Sequence, residues 1–310
     1  MKPWNSEIRS YGQTRGLLAR LREASQLARK TRQSMQSIQA EVKRVIEQCQ
    51  IAERITTAKT GVKLHGLKTL EIGVGQLPRQ TIYFARNNDV TGIDLDVLPQ
   101  GFDPAGYLHL ASHSGTGRAL KTLVRKLSGF DRRYNQVIAR QLGLANPPPF
   151  KLQQMDACEL EFPDNSFDFV YSFDVFEHLP DPPRVLAQVQ RVLNPGGVLM
   201  AYIHLYTCDS GHHDLRVYLP GRGDLPHWAH LRPAMQNSVQ TYVVLNRLRL
   251  GEWRTLFETE LPGTSFDLIT LETDQHVRDA LPRLRTMGEL KEFTDEELLT
   301  DRIIAVWKKP

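Results

Sequence analysis

Two glycines one residue apart, Gly73 and Gly75, close a short apolar run that carries an acid, Glu71, inside it. Glycine at such a turn lets the backbone approach a ligand closely, and the free N–H groups of a helix starting beyond it favour a polar or anionic partner. A second apolar run, Asp89-Val90-Thr91-Gly92-Ile93-Asp94, ends on an acid about 20 residues after the turn, the place from which a carboxylate accepts the two hydroxyls of a ribose. Further along stand Asp156-Ala157, Phe173 and four histidines: His178, His204, and His212 and His213 within Asp209-Ser210-Gly211-His212-His213-Asp214. An imidazole beside a reacting hydroxyl can take its proton, so each of the four is a candidate base. The Asp209–Asp214 run matches no ligand signature, and adjacent histidines in extended chain point to opposite faces, so no metal is expected there.

The elements that must position these residues alternate. Strand patterns fall at 68–72, 89–94, 150–155, 169–173, 198–203, 266–271 and 303–307, with helical patterns near 82–86, 183–193, 245–257 and 276–298. Strands alternating with helices imply βαβ units and a parallel sheet. Two stretches, 97–149 and 205–244, interrupt the alternation and read as cap-like insertions. Short helices are expected in the first of them at 117–126 and 131–141. Ahead of the core, 14–57 reads as a long helix. Its Leu21, Ala24, Ala28, Thr31, Met35, Ile38, Val42, Val45, Cys49 and Ala52 follow a 3-4 alternation. Such a seam serves either a helix laid on its own domain or a homodimeric coiled coil. The expected division is a helical extension, 1–60, and a domain, 61–310.

Composition narrows the function. Residues 1–50 carry ten Lys/Arg against four Glu, so the net charge of +4 leaves the other 260 residues near −2. That balance offers no general nucleic-acid footprint. Three scattered cysteines form neither a disulfide framework nor a metal pair. No apolar run has the length of a membrane span. A cytoplasmic protein is expected, and the basic N-terminal part offers peripheral attachment to the inner face of a membrane.

Lys68-Thr69-Leu70-Glu71-Ile72-Gly73-Val74-Gly75 resembles motif I, E/D-x-G-x-G, of class I S-adenosylmethionine-dependent methyltransferases. A dinucleotide fingerprint would need glycine at position 78, which holds Pro78. Met155-Asp156-Ala157 through Phe162-Pro163-Asp164-Asn165-Ser166-Phe167-Asp168 resembles that family's stretch after strand three. Ser172-Phe173-Asp174-Val175-Phe176-Glu177-His178-Leu179 is similar to its segment after strand four, and Arg191-Val192-Leu193-Asn194-Pro195-Gly196-Gly197 to its turn before strand five. The motifs cover roughly 66–204. The resemblance implies an α/β fold, a doubly wound, mostly parallel seven-stranded sheet with its last strand antiparallel, and S-adenosylmethionine as cofactor.

On that resemblance Gly73 and Gly75 pass the amino-acid and ribose part of the cofactor, and Asp94 holds the ribose hydroxyls. Asp156 reaches the adenine amino group, the backbone N–H of Ala157 meets a ring nitrogen, and Phe173 lines the cleft. Glu71 orients the loop or the cofactor's ammonium. The acceptor is less specified. The run Pro226-His227-Trp228-Ala229-His230-Leu231-Arg232-Pro233 supplies stacking and hydrogen-bonding groups that suit a saccharide or other polar small molecule, so O-methylation with a histidine base is expected. N-methylation of a small amine or peptide, and a non-catalytic scaffold, are the alternatives.

Overall fold

The computed structural model describes residues 35–95, 127–218, 224–241, 243–270 and 275–310. The helix expected at 117–126 and the seam residues before Met35 lie outside them. In chain order the elements are α1 (Met35–Thr60), β1 (Lys68–Ile72), α2 (Arg79–Ala85), β2 (Asp89–Asp94), α3 (Phe130–Gln141), β3 (Lys151–Gln154), β4 (Phe167–Phe173), α4 (Pro182–Val192), β5 (Leu193–His204), α5 (Leu250–Glu260), β6 (Ser265–Thr270), α6 (Gln275–Thr286), α7 (Asp295–Leu299) and β7 (Thr300–Lys308).

The strands form one seven-stranded sheet in the order β3-β2-β1-β4-β5-β7-β6. The pairs β1–β2, β1–β4, β2–β3 and β4–β5 are parallel. β7 runs antiparallel to both β5 and β6. β4 and β5, at the centre, are buried along nearly their whole length, as a strand covered on both faces must be. The edge strand β3 is short, polar and largely exposed, which blunts it against pairing with another chain.

Alternation splits the core in two. One face of the sheet sends Phe169, Tyr171, Phe173, Met200 and Tyr202 to meet α1, α2 and α3. The other sends Leu70, Val170, Leu199 and Ala201 to meet Val185, Leu186 and Val189 of α4 and Trp253 and Phe257 of α5. α4 starts where it does because the Asp181 side chain accepts a hydrogen bond from the Arg184 N–H (3.2 Å), with Pro182 and Pro183 in the first turn.

Three features differ from the sequence reading. The turn expected at 194–197 lies inside β5, because Leu193 already pairs with Phe167 across a register shift and Gly196 takes the bend at φ +76°. The helix expected at 276–298 is divided into α6 and α7. Within the run 226–233, residues 228–232 are core rather than cap. Trp228 is fully buried and packs with Val277, Leu281 and Leu284 of α6 and with Leu298. The Arg232 guanidinium is tied to the Glu289 carboxylate, and His230 Nε2 donates to the Tyr206 carbonyl at 2.7 Å. Side chains buried to this degree present no open face to stack on an acceptor.

The seam of α1 faces its own domain. Ile38, Val42, Val45, Cys49 and Ala52 are buried in the same cluster as Tyr83, Tyr134 and Val137. Burying each aliphatic side chain of that set contributes about 1.5–3 kcal/mol. Charged groups fix the register: Glu41 pairs with Arg79 at 2.8 Å, and Glu53 with Arg86 at 2.9 Å and the Tyr83 hydroxyl at 2.5 Å.

Candidate active site

The glycine turn and the acid expected to serve it are together. Gly73 and Gly75 have φ of +81° and +68°, a region most side chains avoid. A Cβ on Gly73 would stand 2.3 Å from Val175 Cγ2, so this glycine lets the loop after β4 pack on the loop after β1. Among the described residues nothing lies within 4 Å of the corresponding position on Gly75, so they leave open room above the turn. The Gly75 N–H donates to Asp94 Oδ2 at 2.8 Å, which holds the carboxylate at the C-terminal end of β2, beside that space. Leu77, where a third glycine could stand, is buried and fills the core under the turn.

Glu71 is turned into the fold. It is buried on β1 and accepts from the Thr81 hydroxyl at 2.5 Å and the Tyr171 hydroxyl at 2.9 Å, joining β1 to α2 and β4. Of the two expected roles, these bonds match support of the loop through α2. Burial pushes its carboxyl up to about 7, the two hydroxyls oppose this, and the charge of Asp94 adds to it. The folded pKa lies above the ordinary value of 4.5, so the folded state favours the protonated form. That contribution is complete below about pH 4.5 and lost as pH rises through 7. Glu71→Gln should match wild type near pH 5 and gain on it by up to about 3 kcal/mol at pH 8. Parallel curves of Tm against pH for the two proteins would rule out this titration.

Asp156 uses Oδ1 to accept the Cys158 N–H at 2.8 Å, capping the turn that buries Ala157. Phe173 ends β4 but turns into the aromatic core, stacked on Tyr202 at 5.2 Å, and is only 7% exposed. It braces the strand end more than it lines a cleft.

The four histidines divide. His212 is buried, its Nδ1 accepts the Asp214 N–H at 2.9 Å, and its ring meets His230. His204, at the end of β5, puts Nε2 2.9 Å from Ser210 Oγ, 3.3 Å from Cys208 Sγ and 3.5 Å from Asp301. Both are held in structural networks. Asp209 caps the Trp228 N–H at 2.7 Å and meets His227, and Asp214 pairs with Arg216, so neither acid joins His213. His213, at φ +56°, instead stands with its ring centroid 4.8 Å from His178 and 4.7 Å from His204. Burial holds His213 down at about 2, with the neighbouring imidazoles adding to it, and burial also lowers His178. The chain return of 205–213 thus brings His178 and His213 together at the C-terminal ends of β4 and β5.

Sequence reasoning missed three residues here. Glu177 is 2% exposed between Phe176 and His178, and its place inside an apolar run was the available signal. Asp174, at φ +52°, pairs with Arg302 of β7 at 2.9 Å. No local pattern announces a partner 128 residues away.

A sheet of this order with one antiparallel strand, a glycine turn after β1 and an acid closing β2 is the fold of class I S-adenosylmethionine-dependent methyltransferases. The family model described as a methyltransferase domain matches residues 110–201. Phosphatidylethanolamine N-methyltransferase of Cereibacter sphaeroides is 30% identical over 150 residues, 48% of this chain and 56% of that protein. A sterol 24-C-methyltransferase of Gibberella zeae is 38% identical over 71 residues, covering 23% and 18%. The 27-O-demethylrifamycin SV methyltransferase of Amycolatopsis mediterranei is 50% identical over 44 residues, covering 14% and 16%. Among solved structures, phosphoethanolamine N-methyltransferase 2 of Haemonchus contortus gives a TM-score of 0.45 at 16% identity, covering 83% of this chain and 52% of that one. The chain spans little more than half the length, or less, of these curated relatives. The open space over Gly75 and the carboxylate of Asp94 beside it fit the cofactor.

Proposed function

We propose that the protein methylates a hydroxyl of a polar small molecule, with the acceptor oxygen activated beside His178 and His213. When bound, S-adenosylmethionine supplies a methyl group on a sulfonium sulfur. The chain's part is to hold cofactor and acceptor in line and to discharge the hydroxyl proton. One observation carries this reading. His178 Nδ1 lies 2.8 Å from the Val244 carbonyl, which can only accept, so Nδ1 carries the hydrogen and Nε2 keeps its lone pair. That nitrogen can receive the proton while the C–O bond forms. Val175 binds the location to the cofactor turn: it packs on Gly73 and lies three residues before His178.

The saccharide expectation loses the support of Trp228 and Arg232, which are buried, and rests on the polarity of the His178–His213 surroundings alone. N-methylation of a small amine is the second reading, favoured by the 150-residue likeness to a protein named phosphatidylethanolamine N-methyltransferase. Labelled methyl transfer from S-adenosylmethionine to a panel of saccharides, other polyols and ethanolamine-type amines separates the two. Label on hydroxyl oxygen is expected. Label on amine nitrogen only would replace the first reading by the second.

A further inference from the structure

We infer that Glu177, His178 and His213 form a binding site for a first-row divalent transition-metal cation. One ligand atom from each lies within 4.8 Å of those of the other two. Zinc ligands at about 2.1 Å stand roughly 3.4 Å apart around the ion, so closure asks for movements of about 1–1.5 Å by side chains.

Three observations point to a ligand rather than to a settled core. Both carboxylate oxygens of Glu177 are buried, and the residue is 2% exposed, yet neither has a hydrogen-bond partner within bonding geometry among the described residues. The backbone N–H groups of Glu177 and His204 favour its charge only from beyond that geometry. An unpartnered buried carboxyl costs several kcal/mol unless something else satisfies it. His213 Nε2 is likewise buried without a hydrogen-bond partner among the described residues. His178 is already set up as a ligand: its Nδ1–H donates to a backbone carbonyl and its Nε2 lone pair lies 3.9 Å from Glu177 Oε1. A backbone acceptor behind the imidazole is the usual support of a metal-bound histidine.

The neighbouring charges are compatible. Asp174, beside Glu177, is paired with Arg302, which also meets Asp301. The second cluster in reach of a cation, His204, Cys208 and Asp301, is satisfied internally through Ser210 and Arg302, and we assign nothing to it. Two imidazoles and one carboxylate suit Mn2+, Fe2+, Co2+ or Zn2+ better than Ca2+. Three protein ligands leave a coordination position for an acceptor oxygen. A hydroxyl bound there loses its proton more easily, and that proton passes to solvent water as the C–O bond forms and the methyl–sulfur bond breaks. This role rests on the hydroxyl reading above, with the cation taking over the activation there given to the His178 lone pair, whereas binding of the cation does not rest on it.

The test is calorimetric titration of the full chain, without cofactor or acceptor, with ZnCl2 and separately MnCl2, for wild type, Glu177→Gln and His213→Ala. One equivalent should bind wild type, Zn2+ more tightly than Mn2+, and both variants should bind at least tenfold more weakly. Thermal melts control for folding. Zn2+ should raise the Tm of wild type, and Glu177→Gln should melt no lower than apo wild type yet gain nothing from Zn2+. No stoichiometric binding by wild type, or binding unchanged in both variants, overturns the site. A protein that binds the cation in this way and labels only amines keeps the site and loses the hydroxyl reading.

Discussion

Gly73→Ala should abolish detectable S-adenosylmethionine binding and lower stability by about 3 kcal/mol. Two costs combine. At φ +81° an L-residue with a Cβ is strained by about 1–2 kcal/mol, and overpacking a filled site adds about 1–3 kcal/mol. The new methyl would stand 2.3 Å from Val175 Cγ2 and 2.8 Å from Cγ1, so the loop after β4 must retreat. That loop leads directly into Glu177 and His178, so the damage reaches both halves of the site. For a chain of this size the melting temperature should fall by roughly 5 °C. Val175→Ala in the Gly73→Ala background removes the clash and leaves the strain, so it should restore part of the stability. A calorimetric Kd for Gly73→Ala equal to that of wild type would show that the turn does not carry the cofactor.

His213→Ala and His178→Ala should each lower kcat by about 10²–10⁴ while leaving the Kd for S-adenosylmethionine within about threefold of wild type. The reasoning is spatial. Gly73, Gly75 and Asp94 lie on the loops after β1 and β2, whereas the two imidazoles follow β4 and β5. Removing a ring from the second group leaves the first intact. His212→Ala is the internal contrast. Its ring supports the Asp214 N–H and packs on His230, so its loss should appear in the melting temperature with little change in kcat for the folded fraction. Steady-state kinetics with the acceptor found by labelling decide the matter. Full turnover in both His178→Ala and His213→Ala would remove these rings from the chemistry.

What could be read from the sequence was whatever is local. The glycine turn, the acid ending β2 and the apolar β4 and β5 are written in runs of about ten residues, and each formed as its pattern implied. The heptad-like seam of α1 was visible, but two acceptors of its apolar face were open, and only the fold shows Tyr83, Tyr134 and Val137 covering it. The 226–233 run misled because tryptophan, histidine and arginine look like a binding surface until their partners are known. Those partners, Glu289 for Arg232 and Leu281 for Trp228, lie more than 50 residues away. For the same reason His213 was placed with its sequence neighbours Asp209 and Asp214. A left-handed backbone turn and the return of the chain past β5 set it beside Glu177 instead.

β7 lies between β5 and β6, and among the described residues β6 pairs with no other strand. During synthesis the sheet therefore waits with an unfilled slot and an idle strand until residues 300–308 have left the ribosome. Arg302, the partner of Asp174, arrives on that same strand. A nascent chain stopped anywhere earlier would show central-strand edges and a half-buried acid without its cation, a form suited to chaperones and proteases rather than to catalysis. The last strand thus acts as a quality check: the edge of the site is completed in the step that closes the sheet.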